Sequence, residues 1–176
     1  MASKAKPGAG FHVPDPLEVE ELEGAWPKIN LARQAIEAAS KQAACLQFEA
    51  WLKANPRLRA ISMDVEHESN DEGGSYIYLM VSPEFEPEEG ADPAANLYGE
   101  DDDEAREEVR EIFDGHEEEV AQAFASGKSI AADKVAPAIG KALLGPGYKA
   151  WMARREAAAI ERSVPEARRS AAAPRM

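Results

Sequence analysis

Twelve carboxylates lie between Glu100 and Val120, in EDDDEAREEVREIFDGHEEEV, against two arginines. Carboxylates at that density suit three kinds of chemistry. They can hold a divalent cation, they can act as an acid–base pair, or they can present an anionic surface where a partner expects phosphates. A calcium loop needs a central glycine, which DDDEAREEVREI lacks, and its spacing reads as helical. His67 lies beside Glu66 and Glu68, and His116 near Asp114 and Glu117, yet the chain has no His-Glu-x-x-His and no cysteine pair. The acids are too many for any one pair to stand out as an acid–base couple, and no nucleophile elbow or triad signature accompanies them. GKS at 127–129 resembles the end of a phosphate-binding loop, but Gln122 stands where the pattern needs glycine. The sequence therefore points to no enzyme, metal or cofactor, and the anionic surface is the reading that survives.

A helix must position these acids. Val109, Ile112, Phe113, Val120, Ala123 and Phe124 share one side of a helical pattern over 101–126. Glu107, Glu108, Glu111, Asp114, Glu118 and Glu119 fall largely on the other. Acids in the first turn offset the helix dipole. Arg106 and Arg110 follow acids at helical ion-pair spacing. Capping needs one or two acids, however, and like charges four apart cost a few tenths of a kcal/mol each.

The remaining elements follow from period and punctuation. The spacing predicts a short helix ending at Gly24, then a long one over 27–55 that is closed by Asn55-Pro56. Within the long helix Ile29, Ala32, Ile36, Ala39, Ala43, Leu46 and Ala50 step by alternating threes and fours, and Leu31, Ala35, Ala38, Cys45 and Leu52 widen the stripe. The expectation is a core-facing helix; the alternative is a helical pairing surface. Alternation then takes over in AISMDVEH and YIYLMVS. It predicts a β-hairpin with Ile61, Met63, Val65, Ile77, Leu79 and Val81 on one face and Tyr76, Tyr78 and Met80 on the other. Such a hairpin needs a cover, for which the long helix is the natural candidate. After the acidic helix, Gly127 is a stop, Ser129 a cap for a helix to about Leu144 that Pro137 should kink, and 148–163 a last helix.

The fold class this implies is α+β and helix-dominated: a long N-terminal helix, one antiparallel hairpin, then about three helices. Residues 17–162 read as one domain, 1–16 as a disordered arm and 163–176 as a disordered basic tail. Leu, Ile, Val and Phe number 31 of 176 residues while Ala alone numbers 34, so the core material is thin. Cys45 is a single thiol in apolar surroundings, which suits a buried inert group. The N-terminus lacks the apolar segment of a signal peptide and no run reaches membrane-spanning length, so a cytoplasmic protein is expected.

Charge is unevenly placed. Residues 64–119 carry a net −20, flanked by +1 before and +6 after, within an overall −13. Such a balance disfavours direct binding to nucleic acid or to an anionic membrane. The expected partner is a basic protein, such as a nucleic-acid-binding enzyme. It would meet Glu107, Glu108, Glu111, Asp114, Glu118 and Glu119 together with Tyr76 and Tyr78, in the manner of an inhibitor, immunity protein or DNA mimic. The alternative is a homodimeric assembly or adaptor protein built on the Ala-rich helix and the hairpin edge, its acids serving solubility only.

Overall fold

The computed structural model describes residues 19–69, 74–87, 100–124 and 127–163. The expected arm at 1–16 and the tail beyond Ser163 lie outside them, as do most of the hairpin loop and of the acidic loop at 88–99. The order is α1 (Val19–Ala54), β1 (Leu58–Ser69), β2 (Ser75–Phe85), α2 (Glu100–Ile112), α3 (Glu117–Ala121), β3 (Ile130–Ala131), α4 (Ala132–Leu144), a 3-10 turn (Gly145–Gly147) and α5 (Tyr148–Ser163). This is a helix-dominated α+β fold. The chain divides into two compact units between Glu37 and Ala38.

In the first unit α1 is already formed at Val19 and passes through Gly24 and Pro27, where the sequence predicted one helix ending and another starting. Trp26 to Ser40 are all exposed. Proline withholds one donor but holds its own φ at a helical value, so the turns on either side of Pro27 continue as one helix.

The second unit holds the sheet and the core. β1 and β2 pair antiparallel from Leu58↔Phe85 to Ser69↔Ser75, and β3 adds a two-residue pairing at Ala60 and Ile61, giving the order β2-β1-β3. Ile61, Met63, Leu79 and Val81 are buried, as the alternation predicts. Further along the same face Val65 is half-buried and Ile77 exposed, so the distal end of the hairpin leaves the core. Helices α2, α3 and α4 pack on the sheet. α1 joins the same core through Phe48, whose ring lies 5.1 Å from that of Phe113 and stacks on Trp51 at 5.5 Å.

The core-facing side of α1 is Ala44, Cys45, Phe48 and Trp51. All seven residues of the predicted stripe, Ile29 to Ala50, are exposed. This corrects the expected face. Phe48 and Trp51 bury far more apolar area than alanines can, so the core takes the side that carries them. The expected helix over 101–126 is also divided. Asp114-Gly115 makes a turn with Gly115 at φ +76°, a conformation glycine adopts freely, and α3 starts after it. α4 runs unbroken through Pro137 and starts from Ala131; Ser129 donates instead to the Glu84 carboxylate.

Candidate functional site: the acidic side of the sheet

α2 lies against β2 and carries most of the carboxylates between Glu100 and Val120. Several of them have partners within the fold. Asp103 pairs with Arg106 at 2.6 Å and Glu107 with Arg110 at 3.4 Å, both one helical turn apart. The Glu108 carboxylate accepts a hydrogen bond from the Trp51 indole N–H at 2.7 Å, which ties α2 to the end of α1. Glu119 pairs with Lys41 at 3.2 Å and ties α3 to α1. Of the six acids that the sequence singled out, Glu107, Glu108 and Glu119 are thus held internally. The exposed side chains of Glu111, Asp114 and Glu118 have no ion pair or hydrogen bond among the described residues.

The outer face of the hairpin adds an ordered pattern. Register places Glu68 opposite Tyr76, Glu66 opposite Tyr78 and Asp64 opposite Met80. All six are exposed. Directly opposed residues on one face of an antiparallel pair stand about 5 Å apart at Cβ, so each carboxylate lies beside a polarisable side chain. Arg110 occupies one rung. Its Nε donates to the Leu79 carbonyl at 3.0 Å, and its guanidinium carbon sits 4.3 Å from the centre of the Tyr78 ring. The face is therefore chemically suited to guanidinium, and one from this chain already rests on it.

At the other end of β2 a cleft of about 680 Å³ opens between the end of α1, the Pro83–Pro87 segment and the first turns of α2. Trp51 and Phe85 contribute aromatic surface, and Glu84, Glu86, Asp102, Glu104 and Glu108 contribute five carboxylates. Arg57 is the one basic lining residue, and its guanidinium donates to the Glu86 carbonyl at 2.8 Å. The volume falls within the range of small-ligand sites. Of the acids chosen from sequence only Glu108 reaches this cleft. The rest of its lining comes from segments far apart in the chain, which no spacing rule brings together.

Two further groups bear on chemistry. The Ser40 hydroxyl and His116 Nε2 are 2.9 Å apart, joining α1 to the turn between α2 and α3. A serine next to a histidine has the composition of a nucleophile and its base, but Ser40 sits within a helix. No acid orients the His116 ring among the described residues. The contact reads as a tie between elements. Cys45 is buried, and burial followed by the charge of Glu49 pushes its thiol up to about 11. It is thus a poor nucleophile at neutral pH. Among the described residues no group of three or more His, Cys, Asp or Glu is arranged to hold a metal ion, and no helix is long and apolar enough to cross a membrane.

Comparison of the chain with protein-family models, with curated proteins and with solved structures returned no match.

Proposed function

We propose that this chain is a small cytoplasmic binding protein of the inhibitor, immunity or DNA-mimic type, which presents its acidic, aromatic face to a basic protein partner such as a nucleic-acid-binding enzyme. The observation that carries the reading is the rung occupied by Arg110. A guanidinium of this chain is seated on Tyr78, the residue in register with Glu66, which supports the reading that the face receives groups of that kind. The neighbouring rung repeats that chemistry with Glu68 and Tyr76, and on the other side Asp64 stands opposite the thioether of Met80. Arginine or lysine side chains of a partner would pair with these carboxylates and rest their stems on the rings. Glu111, Asp114 and Glu118 extend the negative field beyond the hairpin without any tie to the fold. A field of one sign speeds encounter with a basic groove and disfavours acidic competitors.

The test uses affinity capture from the native host with the wild type and a variant carrying Glu66→Gln, Glu68→Gln, Glu111→Gln, Asp114→Asn, Glu118→Gln and Tyr78→Ala. All six positions are exposed, so the fold should survive. A basic protein retained by the wild type, released by salt and lost with the variant supports the proposal. Equal recovery by both proteins at low salt refutes it.

A further inference from the structure

The cleft between the end of α1, the Pro83–Pro87 segment and α2 has no part in the acidic-face reading beyond Glu108. All of its lining belongs to the second compact unit. Five carboxylates and one guanidinium, that of Arg57, give the lining a net charge of −4. Arg57 is anchored on the Glu86 carbonyl at 2.8 Å. Glu84 and Glu108 are held by uncharged donors, the Ser129 hydroxyl and the Trp51 indole N–H. The side chains of Glu86, Asp102 and Glu104 have no ion pair or hydrogen bond among the described residues. The helix dipole accounts for acids in the first turn of α2 but not for Glu84 and Glu86, which another segment brings to the same cleft. A concave wall lined by one sign of charge focuses its field and concentrates cations. We propose that this cleft binds a linear aliphatic polyamine, with its ammonium groups on separate carboxylates and its methylene stems on the apolar wall.

Three features select that class of ligand. The first is the spread of charge. A compact metal cation needs about six or more oxygens around one point. Among the described residues no three acids are arranged to hold one. Five carboxylates that share a cleft without converging match positive charges strung along a chain. The second is the wall. Half-buried Phe85 and the exposed Ala54, Pro56 and Pro87 line the same cleft, so apolar stems gain contacts there that a hydrated ion does not. The third is size. About 680 Å³ exceeds what one ammonium group fills and lies within the range of small-ligand sites. The chain already uses the same combination internally. The Arg155 guanidinium is held by Glu49 at 2.7 Å and lies 4.5 Å from the Trp151 ring centre. In the cleft the carboxylates and the apolar wall are in place, and the ligand supplies the cations.

Isothermal titration calorimetry of the full chain with spermine at low salt tests this. The wild type should bind saturably, one spermine per chain. Putrescine, which reaches fewer carboxylates, should bind about tenfold more weakly. Glu86→Gln with Glu104→Gln should weaken spermine by roughly tenfold. Both side chains are exposed and untied, so the fold should survive, and circular dichroism verifies it. Glu156→Gln with Glu161→Gln removes the same charge from exposed positions of α5, away from the cleft, and should leave the affinity within about twofold. Absence of saturable spermine binding overturns the proposal. Equal weakening by the two pairs of substitutions also overturns it, because net charge would then suffice. Putrescine binding as tightly as spermine overturns the argument from spread of charge. A tetralysine peptide that binds one-to-one where spermine does not would give the cleft to a basic protein segment and overturn the free amine as its occupant. None of the six substitutions that test the acidic face lies in the cleft lining, so either reading can fail without the other.

Discussion

Gly140→Ala should destabilise the protein, against the usual sign for this change in a helix. Gly140 is buried within α4. In a helix interior, glycine to alanine normally gains about 0.5–1 kcal/mol. Here a Cβ at position 140 would stand 2.3 Å from Cε2 and 2.9 Å from Cδ2 of Tyr148. Carbon atoms pack at about 3.5–4.0 Å, so the ring must move by more than 1 Å. It is not free to do so cheaply, because it is half-buried and rests 6.2 Å from the Trp151 ring, which is itself buried. Overpacking of this kind costs about 1–3 kcal/mol. Less the propensity gain, the net loss is about 0–2.5 kcal/mol, centred on about 1 kcal/mol, or roughly 3 °C in Tm for a chain of this size. Urea unfolding followed by tryptophan fluorescence measures it, with Tyr148→Ala as the paired background. Without the ring the same substitution should turn stabilising, by about 0.5–1 kcal/mol. Gly140→Ala above wild-type stability with Tyr148 in place would refute the close approach of α4 and the start of α5.

The Glu49–Arg155 pair, with two contacts of 2.7 Å and the Arg155 guanidinium 4.5 Å from the Trp151 ring centre, gives a pH dependence of defined sign. The hydrogen bond from Arg155 holds the Glu49 carboxyl below its ordinary 4.5, so the stabilisation is full above that value and falls away as pH drops through the lowered one. Unfolding of Glu49→Gln compared between about pH 6 and about pH 3 should show a smaller acid loss than the wild type; an identical loss would remove Glu49 from the account. Trp51→Phe keeps the stacking on Phe48 and removes the indole donor to Glu108, and should cost about 1 kcal/mol in urea unfolding. Cys45 should react with a thiol reagent far more slowly in the native protein than in denaturant, and fast native labelling would contradict its burial.

Period was legible in the sequence, and the buried face was legible in the hairpin but not in α1. The hairpin could be read because alternation leaves only two faces, and the one bearing Ile61, Met63, Leu79 and Val81 is uniformly apolar. α1 carries two apolar stripes. The longer and more regular of them, Ile29 to Ala50, points to solvent, while the shorter one built on Phe48 and Trp51 faces the core. Side-chain area separates them, which a count of apolar positions does not register. The turn at Asp114-Gly115 was signalled by the dipeptide itself and obscured by the acids that continue the helical pattern across it. β3 is two residues long, and no pattern can announce a strand that short. Arg110 could be placed as a helical ion-pair partner of Glu107, but its reach to Leu79 and Tyr78 spans 31 residues and depends on how α2 lies on β2.

The internal partners divide the acids in a way that composition cannot. Solubility depends on net charge and is indifferent to which surface position carries it. Asp103, Glu107, Glu108 and Glu119 answer to the fold, since each has a basic or indole partner at 2.6–3.4 Å. Glu66 and Glu68 have no such partner among the described residues. They stand on an exposed ribbon directly opposite two tyrosines, a placement that net charge does not require and that like-signed neighbours disfavour. Moving those two carboxylates to other exposed positions keeps the net charge and the solubility while removing the register with Tyr76 and Tyr78. Capture of a basic partner that survives the relocation would mean that the field alone suffices. Capture lost at unchanged net charge would assign recognition to the paired carboxylate and ring, the chemistry that Arg110 already displays within the molecule.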